Sequence, residues 1–260
     1  MNALSLDVAD GVATITLRRP DAANAIDLTM ATELLDAALA LDGDASVRAV
    51  LLRGEGRMFC AGGDVRSFAA AGDGVPELLR RITTPLHAAI SRLVRLDAPL
   101  IAAVQGSAAG AGLGLACAAD LVVAAESAKF VVAYTGIGVT PDASTSYFLP
   151  RLVGRRRAVE LTLTNRVLRA PEALGWGLVT RVVPDAQLEE ESRGLAASIA
   201  AGPTRAFGAA SELLRRSWTS TLETQMEHES LALRDIARTA DAREGLAAFV
   251  EKRPARFAGC

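Results

Sequence analysis

The chain opens on alternation. "LSLDV" (4–8) and "VATITL" (12–17) alternate apolar or β-branched with polar positions around a turn carrying Asp10-Gly11, which predicts a β-hairpin. After Pro20 the apolar spacing lengthens to the helical period. A helix is expected from Asp27, capped by Asp27 or Thr29, to about Ala40. "RAVLLRG" (48–54) then reads as a buried strand. The cycle repeats as helix 76–96, strand "LIAAV" (100–104), short helix 110–118, and strands "LVVAA" (121–125) and "KFVVA" (129–133). Strands alternating with helices predict an α/β chain whose sheet is built from βαβ units.

This pattern stops near residue 184. From Asp185 only the helical period is left, in "LEEESRGLAASIAA", "AFGAASELLRRSW" and "TLETQMEHESLALRDIA". The chain therefore divides into a sheet-forming core, 1–184, and a helical region, 185–260. The helical region is too thin to bury all its own faces, so it is expected to pack on the core or on a partner subunit.

Composition narrows the function classes. Half of the 260 residues are hydrophobic, enough for a substantial core. Acids outnumber bases by 30 to 28 with the signs interspersed, so no basic face suits a nucleic-acid backbone. Residues Ala98 to Ala119 carry no charge. Pro99, Gln105 and several glycines nevertheless argue for a buried strand, turn and helix over a membrane span. Asp7 and Asp10 stand where a signal peptide would be basic and then apolar. Cys60, Cys117 and Cys260 lack C-x-x-C spacing, and the expectation is reduced thiols in the cytoplasm. His87 and His228 show no H-E-x-x-H spacing, so no metal site is expected.

Three stretches carry candidate chemistry. In "RMFCAGGDV" (57–65), Gly62 and Gly63 permit a turn whose N–H groups point outward beyond the carboxyl end of a strand; a tight connector is the plainer reading. "QGSAAGAGLGLACAAD" (105–120) is a second glycine-rich turn, neither a dinucleotide fingerprint nor a P-loop, that could present N–H groups at a helix start or simply allow close packing. The two turns could each supply one N–H to an oxyanion. In "AYTGIGVTPDAS" (133–144), Asp142 is either the cap of a following helix or a reacting carboxylate.

"RPDAANAI", "FCAGGDV", "VQGSAAGAGLGLACAADLVVAAESAKF" and "GWGLVTRVV", in this order, resemble the crotonase superfamily, the enoyl-CoA hydratase/isomerase family, across essentially the whole chain. The resemblance implies a spiral of ββα units with a helical C-terminal trimerisation region. It also implies homotrimers or homohexamers and an acyl-CoA thioester as substrate, coenzyme A being part of that substrate and no other cofactor being needed. In this reading the thioester oxygen is held by the N–H groups of Ala61 and Ala111. Ala61, Gly62, Gly63 and Asp64 meet the CoA moiety, and Phe68, Gly114 and Tyr134 belong to the substrate pocket. "AFVEKRPARF" resembles the family's terminal helix, whose Phe249 and Lys252 would reach a nucleotide on a neighbouring subunit; a solvated surface charge is the other reading of Lys252.

Two departures redirect the reading. Hydratases of the family use two glutamates, and the matching positions here are Gly114 and Tyr134. "GIGVTPD" instead resembles branches that place one aspartate, here Asp142, beside the acyl group. Isomerases of phenylacetate-type degradation use it to shuttle a proton, and the C-terminal half resembles these. Aryl-CoA dehalogenases use it as a nucleophile with a histidine that matches His87. That histidine also sits in an apolar helical stripe with Leu86, Ile90, Leu93 and Val94, the pattern of a structural residue. The expectation is an enoyl-CoA isomerase; the alternatives are a hydrolase or dehalogenase, a hydratase, or a non-catalytic acyl-CoA binder.

Overall fold

The computed structural model describes residues 2–260. Strands β1 (Leu4–Ala9) and β2 (Val12–Leu17) form the expected hairpin, turning through Asp10 and Gly11 at φ of 50° and 77°. Both residues are left-handed, as a type I′ turn requires. Helix α1 (Leu28–Leu41) is capped by Asp27, whose carboxylate accepts from the Met30 N–H at 2.8 Å; Thr29 lies inside the helix. After β3 (Ala49–Gly54) come two helices, α2 (Val65–Ala71) and α3 (Val75–Leu93), where one helix was expected over 76–96. Asp64 starts α2, its carboxylate accepting from Ser67 N–H.

The chain continues through β4 (Leu100–Val104), β5 (Ser107–Ala109), α4 (Ala111–Ala118), β6 (Leu121–Ala125) and β7 (Lys129–Val131). Next come α5 (Thr145–Val153), α6 (Arg155–Thr164), β8 (Leu168–Arg169), α7 (Ala170–Gly175) and β9 (Arg181–Val183). The single sheet expected from the pattern is in fact two. One has the order β1-β2-β3-β4-β6-β9 and is parallel from β2 onward; the other is β5-β7-β8. Two successive turns of the spiral lay a strand in the first sheet and then one in the second: β4 precedes β5, and β6 precedes β7. Strands β3 and β4 are almost wholly buried, which is why they read as continuous apolar runs.

The uncharged stretch 98–119 resolves into β4, β5 and α4, every residue of the helix being buried. No helix among the described residues is long and apolar enough to cross a membrane.

Beyond Val183 only helices follow: α8 (Leu188–Ala200), α9 (Thr204–Arg216), α10 (Leu222–Ile236) and α11 (Ala240–Glu251). Helix α8 packs on β3, β4 and β6, and α9 packs against α10. Helix α10 buries no residue, and Leu233, Leu246 and Val250 stand exposed.

Candidate active site

The site is assembled where two loops lie side by side. Cys60 bridges Ala108, with Cys60 N–H donating to the Ser107 carbonyl at 3.1 Å and Ala109 N–H to the Cys60 carbonyl at 2.9 Å. Glycine makes this approach possible. Gly62 has φ of 98°, and a Cβ there would sit 2.8 Å from the Ala109 carbonyl oxygen. Asn24, fully buried within "RPDAANAI", donates to the carbonyls of Glu55 and Met58 at 2.9 and 2.7 Å and so ties down the start of the first loop.

Counting the N–H groups of the two loops corrects the expected oxyanion donors. The N–H of Ala61 donates to the Ala23 carbonyl at 3.0 Å, so it is not free for a ligand. Gly62 and Asp64 are tied to Ile26 through Gly62 O and Asp64 N. Gly63 N–H, between them, has no acceptor among the described residues. Ala111 is the first residue of α4, and its N–H has no intrahelical acceptor. The free donors beside this cavity are therefore Gly63 and Ala111, not Ala61 and Ala111. The reason is a tertiary one: the Ala22–Asn24 turn delivers a carbonyl to Ala61.

A cavity of about 270 Å³ opens on both loops. Ala61, Gly62, Gly63, Phe68, Ala111, Tyr134 and Asp142 all border it, together with Ile82 and Leu86 of α3. Its lining contains one carboxylate, Asp142.

Asp142 does not cap the following helix. Residue Ser144 occupies the N-cap of α5 without a side-chain cap bond, while the Asp142 Oδ1 accepts from the Tyr134 hydroxyl at 2.5 Å. Burial, then the charge and hydrogen bond of Asp142, push the Tyr134 phenol far above its ordinary range. It therefore stays protonated and acts as the donor of the pair. Ala143 and Ser144 follow at φ of 48° and 63°, left-handed conformations that non-glycine residues adopt at a cost. Three contacts hold this turn. His87 Nε2 accepts from Ala143 N–H at 3.2 Å, Thr145 N–H donates to the Asp142 carbonyl at 2.9 Å, and the α-carbon of Gly114 lies under Ala143. A Cβ on Gly114 would come 2.2 Å from the Ala143 carbonyl oxygen.

The remaining candidates fall elsewhere. Gly114 does not border the cavity; it is buried beneath the turn, so a glutamate at that position could not coexist with this backbone. His87 does not border this cavity; with Asp142 it borders a second one. The Asp64 carboxylate is absent from the cavity lining and is engaged by Arg19 at 3.0 Å. Partial burial pushes the Asp64 carboxyl up, but the hydrogen bond and charge of Arg19 and the Ser67 N–H outweigh it and hold the group below the usual carboxylate range. Phe249 is 85% exposed on α11 and Lys252 is that helix's C-cap, so neither reaches the cavity of its own chain. Complete burial pushes the Cys60 thiol up to about 12, which removes it as a nucleophile. Among the described residues no group of three or more His, Cys, Asp or Glu could hold a metal ion.

Tyr134 as the partner of Asp142, and Gly63 as a donor, are what sequence reasoning did not assign. For Gly63 the signal was the glycine pair itself.

A fold of this kind, with paired backbone donors over an apolar cavity, has known relatives. The family model "Enoyl-CoA hydratase/isomerase" matches residues 7–259, and the chain belongs to that family, with the crotonase fold. The chain is 38% identical over 253 residues to 1,2-epoxyphenylacetyl-CoA isomerase of Escherichia coli, covering 97% of each. It is 40% identical over 227 residues to 4-chlorobenzoyl coenzyme A dehalogenase-2 of Arthrobacter, covering 87% of this chain and 82% of that one. The crystal structure of an enoyl-CoA hydratase from Bacillus anthracis superposes with a TM-score of 0.93 at 35% identity, covering 99% of this chain and 100% of that one.

Proposed function

We propose that the protein is an enoyl-CoA isomerase. The observation that carries this reading is the single carboxylate, Asp142, on a cavity that also borders two free backbone donors. Addition of water needs both a base and an acid, whereas moving a double bond needs one group that takes a proton and returns it. An acyl-CoA thioester oxygen held by the N–H groups of Gly63 and Ala111 would acidify the adjacent carbon. Asp142 removes that proton, the negative charge collects on the held oxygen as an enolate, and the same carboxylic acid returns the proton to the γ-carbon. Tyr134 fixes the Oδ1 oxygen and leaves the other to face the acyl group. Coenzyme A enters only as part of the substrate.

The test is deuterium uptake from solvent at the α- and γ-carbons of 2-enoyl, 3-enoyl and aryl-acetyl CoA esters, followed by mass spectrometry. Replacing Asp142 with Asn is expected to lower exchange by about 10²–10⁴-fold while CoA-ester binding is kept. Exchange that survives the substitution would overturn the reading.

His87, whose Nε2 meets the Ala143 N–H, favours one second reading, a hydrolase or dehalogenase in which Asp142 attacks the acyl group or ring. That mechanism leaves a trapped adduct, an added mass on the intact protein. The apolar side chains exposed on α10 and α11 support assembly as a homotrimer or homohexamer, in which Phe249 and Lys252 would meet a neighbour's nucleotide. Three cysteines without C-x-x-C spacing support a cytoplasmic setting.

A further inference from the structure

Asp142 borders two cavities, one lined mainly by apolar groups and one in which apolar side chains such as Ile90 and Phe148 are joined by arginines. The second, about 610 Å³, is bordered by His87 and Ser91 of α3, by Arg95 in the turn just after that helix, and by Arg215 and Arg216 of α9. Helix α3 lines both in sequence: Leu79, Ile82 and Leu86 border the first cavity, His87 and Ser91 the second, and Arg95 follows in the turn beyond the helix. At a rise of about 1.5 Å per residue, Leu86 and Ser91 are separated by roughly 7 Å along the helix axis, and Arg95 lies beyond its end. An acyl group that enters along the first cavity and extends past Asp142 would therefore run beside the end of α3 into the second.

The charges in the second cavity do not balance. Arg215 and Arg216 share a single acid, Glu212, at 2.9 and 2.6 Å. Asp142, the other acid of the lining, is held by the Tyr134 hydroxyl. The Arg95 side chain meets only Ser91, in the last turn of α3, through the carbonyl at 2.7 Å and the hydroxyl, and no carboxylate among the described residues. A guanidinium without a carboxylate partner, at the far end of a cavity that begins at the reacting group, matches an anion with two oxygens. An alkyl end placed beside these guanidinium groups would crowd hydrated charge.

We propose that the second cavity is a distal acyl subsite for a terminal carboxylate, and that the enzyme favours CoA esters whose acyl group carries a carboxylate at the end remote from the thioester. This rests on the first cavity being the thioester site.

The experiment is calorimetric binding of two CoA esters of equal medium chain length, one ending in a methyl group and one in a carboxylate, to the full-length protein and to Arg95→Met and Arg95→Lys. Wild type is expected to bind the carboxylate ester at least about tenfold more tightly, a preference that weakens with salt. Arg95→Met is expected to bring the ratio of the two affinities close to one, and Arg95→Lys to retain part of it. Equal or weaker binding of the carboxylate ester by wild type overturns the proposal, as does an Arg95→Met variant that keeps the ratio. Failure of the isomerase reading is distinct: the binding preference persists while neither ester exchanges deuterium. Binding of neither ester overturns both.

Discussion

The two glycine-rich loops and the turn after Asp142 both bring left-handed backbone to one cavity, but by different means. At Gly62 and Gly110, with φ of 98° and 51°, the conformation is available because no side chain opposes it. At Ala143 and Ser144 a positive φ is adopted by residues that disfavour it. There the cost is offset by contacts from elsewhere in the chain: the His87 ring, the Thr145 N–H and the bare α-carbon of Gly114. The loops carry backbone donors, whose direction is set locally. The turn carries the one carboxylate, whose direction is set by its neighbours. A carboxylate held this way is more easily misplaced than the backbone donors.

Gly114→Ala should break the comparison most severely. Its methyl group would contest the space of the Ala143 carbonyl oxygen, and overpacking of a buried backbone contact costs about 1–3 kcal/mol or more. Activity is expected to fall further than stability, because relief comes from moving the turn and Asp142 with it. A fully active, equally stable Gly114→Ala variant in urea titration and exchange assays would show that the turn does not depend on this contact.

His87→Ala removes the acceptor for Ala143 N–H. The histidine faces an open cavity, so water can replace it, and the loss is expected to be about 0.5–1.5 kcal/mol. If His87 only positions the turn, its loss should lower exchange in step with the Asp142 geometry and leave no trapped adduct. An adduct on Asp142 that accumulates in His87→Ala would instead mark the histidine as the base for ester hydrolysis.

Ser144→Gly is the mildest test and has the opposite sign. Glycine relieves the left-handed strain and removes a buried hydroxyl that has no hydrogen-bond partner, while loosening the unfolded chain. The net change is expected to lie between neutral and about 1 kcal/mol stabilising. A loss of more than that in urea denaturation would mean the serine is not strained.

Much of this arrangement was legible along the chain. The hairpin, the buried strands β3, β4 and β6, and the change to helices after residue 183 follow from spacing alone, because each rests on which faces meet water. The ordered glycine motifs located both loops and singled out Asp142. What could not be read was hydrogen-bond occupancy. Ala61 and Gly63 are two residues apart in one loop, and which N–H stays free depends on the Ala23 carbonyl, delivered from a turn nearly 40 residues earlier in the chain. Taken alone in the sequence, Asp142 reads first as a helix cap, since its other setting depends on Tyr134 folding back across the intervening turn to meet it.

The sequence by itself determined the periodic elements, the two glycine turns and the family, because these depend on local backbone freedom and on patterns of burial. Only the tertiary structure decided which donors are unpaired, that Gly114 supports a turn instead of lining a pocket, and that Asp142 borders both an apolar cavity and one that holds arginines. Those properties belong to pairs of groups distant in sequence, and a hydrogen bond or a steric contact exists only once both partners are in place.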